Sequence, residues 1–108
     1  MNRYLIEGIL RDVRAGKRVV IMGRLAIGSN AFEHLTAATD DWVRVRRTSG
    51  RESAEHPSGG SVLVRAATPG FHRPRADVVV TIGYRELNER EQGHVRALAA
   101  TGELILAD

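Results

Sequence analysis

The stretch "MGRLAIGSNAF", residues 22–32, follows directly on the apolar run Val19-Val20-Ile21 and carries glycines at 23 and 28. Its spacing is that of a phosphate-binding loop, G-x-x-x-x-G-K-[ST]. In such a loop backbone amides cradle the phosphates, the lysine offsets charge on the terminal groups and the hydroxyl holds Mg²⁺. Here Ser29 and Asn30 stand at the lysine and hydroxyl positions. What is left is two glycines and a helix N-terminus, which suits a lone or backbone phosphate held at Gly28 and Ser29 better than hydrolysis of a nucleotide. The plainer reading is a strand, a turn and a helix. Arg18–Met22 is then a buried strand ended by Gly23, and Asn30 caps a helix to about Ala38, with Glu33 bonding back.

Outward from this stretch, Leu5, Ile6, Ile9, Leu10 and Val13 make the apolar stripe of a first helix over 4–14, with Gly16 as its left-handed stop. Downstream, Trp42 to Arg47 alternates. Val43 and Val45 fall on one face, and Trp42, Arg44 and Arg46 on the other. Residues 48–60 read as an exposed loop, 61–66 as a strand, and 68–75 as a second loop with Pro69, His72, Arg73, Pro74 and Arg75. Asp77–Ile82 is the most apolar strand. Asn88 and Glu91 repeat the capping-box spacing before a helix that Gly102 closes, and Leu104-Ile105-Leu106 ends the pattern as a strand. The near-continuous apolar runs at 18–22, 78–82 and 103–107 imply central, adjacent strands. Helices and strands interleave, which implies one α/β domain over 1–108: a three-layer sandwich with a mostly parallel sheet, and an antiparallel hairpin at one edge around residues 42–66.

Composition sets the outer limits. The chain has 108 residues, enough for one core, with 43% hydrophobic and 27% charged residues, and it has no apolar run long enough to span a membrane. The charged residues within the N-terminal helix do not fit a signal peptide, and the absence of cysteine agrees with a reducing compartment, so the expected setting is cytoplasmic. Net charge is +3, and since only Lys17 is lysine, 15 of the 16 basic residues are arginine. High-GC coding produces this bias, and so does a need for the planar guanidinium fork that suits phosphate.

Two segments, "GKRVVIMGRLAIGSNAFEHL" (16–35) and "GGSVLVRAATPGFHRPRADVVVTIGYRELNEREQGHVRALAATGELILAD" (59–108), resemble the middle and end of the ATPase core of phage large terminase subunits and superfamily 2 helicases. The resemblance implies a Rossmann-like, P-loop-NTPase-like fold in which 16–35 is the second strand–helix unit. The true phosphate loop would then lie upstream of residue 1. It also implies that Gly28, Ser29 and Asn30 match a turn that touches the nucleic-acid backbone. Where the family carries an acidic pair after its hydrophobic strand, this chain has Thr81-Ile82-Gly83, with Glu86 only at the next helix entrance. Such a chain is expected to be a degenerate, truncated relative without catalytic residues, metal or cofactor.

Nothing else in the sequence suggests catalysis. His34, His56, His72 and His94 do not share metal-ligand spacing, and no serine sits in a nucleophile elbow. The remaining signal is charge: residues 44–75 hold seven arginines (44, 46, 47, 51, 65, 73, 75) against Glu52 and Glu55. Arg44, Arg46, Arg73 and Arg75, with Ser29 and Asn30, are therefore expected to bind DNA or RNA backbone, with Trp42 and Phe71 available to stack on bases. The alternative is a protein-interaction or inhibitory module of a phage-type accessory protein, acting through a sheet edge or as a homodimer.

Overall fold

The side chain of Asn2 accepts the amide hydrogen of Leu5 at 2.9 Å and so starts α1 (Arg3–Arg14), in a computed structural model that describes residues 2–48, 51–67 and 75–107. Arg11 and Arg14 occupy the last turn, where they offset the helix dipole, and Ile9, Leu10 and Val13 are buried. Gly16, at φ 85°, turns the chain into β1 (Arg18–Gly23), whose last five residues are all buried.

The helix α2 (Leu25–Ala37) begins six residues earlier than the expected start at Ala31, with Arg24 rather than Asn30 at its N-cap. Leu25, Ala26 and Ile27 favour helix, so the chain turns helical as soon as β1 ends. Gly28 is tolerated inside α2 because the helix packs closely there: a Cβ at Gly28 would lie 2.9 Å from Val64 Cγ1. The stretch that spells a phosphate loop is thus the end of β1, the cap residue Arg24 and the first two turns of α2.

The remaining elements are β2 (Arg44–Arg46), β3 (Ser53–Glu55), β4 (Ser61–Ala66), β5 (Val78–Ile82), a 3₁₀ turn at Tyr84–Glu86, α3 (Glu89–Leu98) and β6 (Glu103–Ala107). Asn88 and Glu91 make both halves of the expected capping box. The six strands form one mixed sheet in the order β2-β3-β4-β1-β5-β6. The pairs β4–β1, β1–β5 and β5–β6 are parallel, while β2–β3 and β3–β4 are antiparallel, so the expected edge hairpin is present. Two expectations need correcting. Residues 53–55 form a strand, although Ser53-Ala54-Glu55 has little intrinsic strand preference, because β2 and β4 pair with it on either side. The strand at 103–107 is at the sheet edge rather than central, which is why its burial is only partial.

Successive strand residues alternate between two cores. Val19 and Ile21 of β1, Val78 and Val80 of β5, and Val62 and Val64 of β4 pack with α1 and α2 around Phe32 and Leu35. Val20, Met22 and Val79 pack instead with Val95, Leu98 and Ala99 at α3.

At the N-terminal end of the parallel strands, Asp77 holds three strands together. Its carboxylate accepts the Arg18 amide at 2.8 Å, its own amide donates to the Arg18 carbonyl, and its carbonyl accepts from Glu103. The bond from the Arg18 amide is the main reason its carboxyl titrates below the usual carboxylate range, with Arg75 adding to the effect. A depressed folded-state pKa adds stability above the unfolded-state pKa of about 3.9, and that stability is lost as pH falls through the lower folded value. Asp77→Asn is therefore expected to lower the unfolding midpoint at pH 7 and to flatten the loss of stability below about pH 4. Denaturant melts across pH check this, and a variant that retains the wild-type acid limb overturns it.

Candidate nucleic-acid interface

The alternation of strand residues decides where the arginines point. Val45 packs into the core under α1 and α2, so its neighbours Arg44 and Arg46 project from the opposite face, and both are exposed. The same parity holds along the sheet. Ala54 faces α1 and α2, so Ser53 and Glu55 face away; Val62 and Val64 do likewise, leaving Ser61, Leu63 and Arg65 on the other face. Arg18 alternates with Val20 and Met22 and joins that second face. The strand register then places Arg44, Glu55, Ser61 and Arg18 in one row across four strands, with Arg46, Ser53 and Leu63 in the row above. Among the described residues, the buried side chains that α3 brings to this face gather over β1 and β5 and reach β4 at the partly buried Leu63, so no member of this cluster lies on β2 or β3.

This open face is basic. Arg65 rises from it half-buried, its guanidinium donating to the Val64 carbonyl at 2.6 Å and to the Glu52 carbonyl at 3.5 Å. Its pKa is pushed below the ordinary arginine value, first by burial and then by the positive charges of Arg51 and Arg18, with Glu52 opposing. The guanidinium remains charged at neutral pH. Four like charges, Arg18, Arg44, Arg46 and Arg65, thus share a surface on which, among the described residues, the strands place one carboxylate, Glu55. A polyanion laid across them would relieve their mutual repulsion.

The other sequence-derived candidates fall elsewhere. Gly28, Ser29 and Asn30 lie inside α2, and the Gly28 amide is already bonded to the Arg24 carbonyl, so it has no amide to offer a phosphate. Ser29 donates its hydroxyl to Glu52, a carboxylate only 4% exposed whose second oxygen has no hydrogen-bond partner among the described residues. Glu52 sits opposite Val64 on the α2 side of the sheet, its carbonyl accepting the Val64 amide. Ser29 therefore partners one oxygen of a buried carboxylate and ties α2 to the residue that leads into β3. Ser29→Ala is expected to cost about 1–3 kcal/mol in denaturant unfolding, because it strips the remaining partner from a buried acceptor. An unchanged midpoint would remove this assignment.

Arg75 pairs with Asp77 at 3.5 Å and stands at the β5 end of the Arg44–Arg18 row. Four inter-strand spacings separate β2 from β5, about 19 Å, so Arg44 and Arg75 mark the two ends of a track rather than one cluster. Arg73 and Phe71 lie outside the described residues. Trp42 is packed against the core under α1 and α2, its ring edge-on to His56 at 6.1 Å, and is not a stacking platform; the strict alternation expected for 42–47 fails there, since Val43 is the exposed residue. Arg18 and Arg65 escaped the sequence reading because their meeting with Arg44 and Arg46 depends on strand order.

A second feature lies at the C-terminal ends of β5 and β6. A groove of about 700 Å³ runs between the N-terminal turns of α1 and α2, lined by Tyr4, Leu5, Ile27, Ile82, Ile105 and Leu106 among others. Among the described residues, no group of three or more His, Asp or Glu side chains is placed to hold a metal, and no helix is long and apolar enough to cross a membrane. Compared with protein-family models, with curated proteins and with solved structures, the chain matches none.

Proposed function

We propose that this chain is a non-catalytic module that binds the phosphate backbone of a nucleic acid across the open face of β2, β3, β4 and the start of β1. The observation that carries the reading is the convergence of Arg18, Arg44, Arg46 and Arg65 on one face of the sheet, with Arg75 at its rim. Arg44 and Arg46 are two residues apart on one strand, about 7 Å, close to the spacing of successive phosphates along an extended strand. No aromatic side chain stands on the strands of this face, so contact is to phosphate and not to bases, and DNA and RNA are bound alike.

The proposed architecture is a three-layer, P-loop-NTPase-like domain that has lost its chemistry. In chain order the four parallel strands lie 2-1-3-4, the chain leaving β1 toward β4 on one side and placing β5 and β6 on the other, as in doubly wound folds. The helicase- and terminase-like kinship rests on this order together with the segments 16–35 and 59–108. At the end of β5, where a hydrolase needs carboxylates to hold Mg²⁺, stand the buried Thr81 and then Ile82 and Gly83.

Fluorescence anisotropy with a labelled single-stranded oligonucleotide tests the reading. Four phosphate contacts give a salt slope near −3, so affinity is expected to fall about fiftyfold between about 50 and 200 mM salt. Absence of binding at the lower salt, or binding insensitive to salt, overturns it.

A further inference from the structure

The two edges of the sheet differ in kind. The β2 edge is three residues long and carries Arg44 and Arg46, features that discourage strand pairing. The β6 edge, Glu103-Leu104-Ile105-Leu106-Ala107, is five residues long, with no proline, lysine or arginine. Its inner side is occupied: the Glu103 amide donates to the Asp77 carbonyl and the Gly83 amide to the Ala107 carbonyl. In a parallel ladder alternate residues bond to the same neighbour, so Glu103, Ile105 and Ala107 face β5, while the amides and carbonyls of Leu104 and Leu106 point outward. Beside this edge lies apolar surface. Of the four large hydrophobic residues left exposed among the described residues, three, Tyr4 (75%), Ile27 (37%) and Leu106 (57%), line the groove at its C-terminal end.

We infer that the β6 edge is a self-association surface, on which a second copy of this chain pairs its own β6 antiparallel about a two-fold axis at Ile105. That register follows from the strand. It sets Leu104 opposite the other copy's Leu106, and these are the residues whose polar groups point outward, so the two Leu104–Leu106 pairs exchange four backbone hydrogen bonds. Leu104 packs on the α3 side of the sheet, and Leu106 shares its face, so each exposed Leu106 is covered by the other copy's Leu104.

Charge supports the same register. Glu103 lies on the α1 side with Ile105 and Ala107, and antiparallel pairing carries it to the Ala107 end of the other copy. At that end Tyr4 shares the groove with Ala107, and the Arg3 guanidinium sits over its ring at 5.4 Å. Each Glu103 is therefore carried to the end of the other copy where Arg3 stands, an exposed arginine whose long contact to Glu7, 3.9 Å, leaves it able to take a second carboxylate, while the two Glu103 carboxylates stay about 14 Å apart, beyond the screening length at physiological salt. The surface is separate from the arginine face and independent of the nucleic-acid reading.

Sedimentation equilibrium of the full chain tests the inference. Wild type is expected to dimerise, to twice its 11.9 kDa. Leu106→Lys, at an exposed site, is expected to weaken the dimer at least about tenfold while keeping the circular dichroism spectrum and oligonucleotide binding. Glu103→Arg weakens it as well, and adding Arg3→Glu to that variant restores it. A wild-type chain that sediments as a monomer at about 100 µM overturns the inference, as does a Leu106→Lys dimer of wild-type strength or a reversed pair no tighter than Glu103→Arg alone.

Discussion

Val79→Asp is expected to yield no soluble, folded protein. Val79 is fully buried in β5, registered between Val20 of β1 and Leu104 of β6, and packs with the α3 core. Among the described residues, the cluster around it is made of hydrophobic side chains such as Val20, Met22, Val95 and Leu98, which offer a carboxylate no partner. An uncompensated buried charge costs several kcal/mol, against a total stability of about 5–15 kcal/mol for a domain of this kind. Val79→Ala, which leaves a small cavity and no charge, is expected to stay folded with a lower unfolding midpoint. Soluble yield and far-ultraviolet circular dichroism separate the two variants, and a well-folded Val79→Asp protein would show that the core lies elsewhere.

The largest functional effect is expected from replacing Arg18, Arg44 and Arg46 together by glutamine. All three side chains are exposed, so the fold is expected to survive with a loss of no more than about 0.5 kcal/mol per site. Removing three phosphate contacts lowers the magnitude of the salt slope by about 2 on a single strand and weakens binding more than tenfold at low salt. Arg11→Gln, on the exposed side of α1, takes away equal charge per residue from the other face and is expected to leave the slope unchanged. Equal losses from both sets of variants would mean that net charge, rather than this face, governs binding. Arg65 is left intact because its bonds to the Val64 and Glu52 carbonyls make it part of the β3–β4 framework.

The sequence and the structure agree wherever local chemistry decides the outcome. The apolar stripe of α1, the capping box of α3 and the β-branched runs of β1 and β5 each satisfy a short-range rule, and all appear as expected. The differences arise where a distant partner decides. Ser53-Ala54-Glu55 becomes a strand only because β2 and β4 flank it, and Trp42 leaves the alternation of its neighbours to pack on the core. Gly28 reads as a loop residue until Val64 is brought beneath it. The candidate site shows the same division. Arg44 and Arg46 are legible from their i, i+2 spacing, whereas Arg65 joins them only through β4 pairing with β3, and Arg18 only through β1 pairing with β4, in the register Arg18↔Ser61. The bond from Ser29 to Glu52, which spans 23 residues, has no signature in the sequence.

The position of β1 between β4 and β5 bears on how the chain is made. Its apolar residues, Val19 to Met22, are made before both strands that cover their edges, β5 ending only at Ile82. The helix before β1 shares this delay, because the Val13 carbonyl near its end accepts a hydrogen bond from Ser58, 45 residues on. A nascent chain must therefore carry an uncovered, β-branched segment until residues 61–82 have followed it, the condition under which strands find wrong partners. Truncated products ending before residue 78 are the species that would aggregate or engage chaperones. Once β5 has docked, the segment is buried on both faces and paired at both edges.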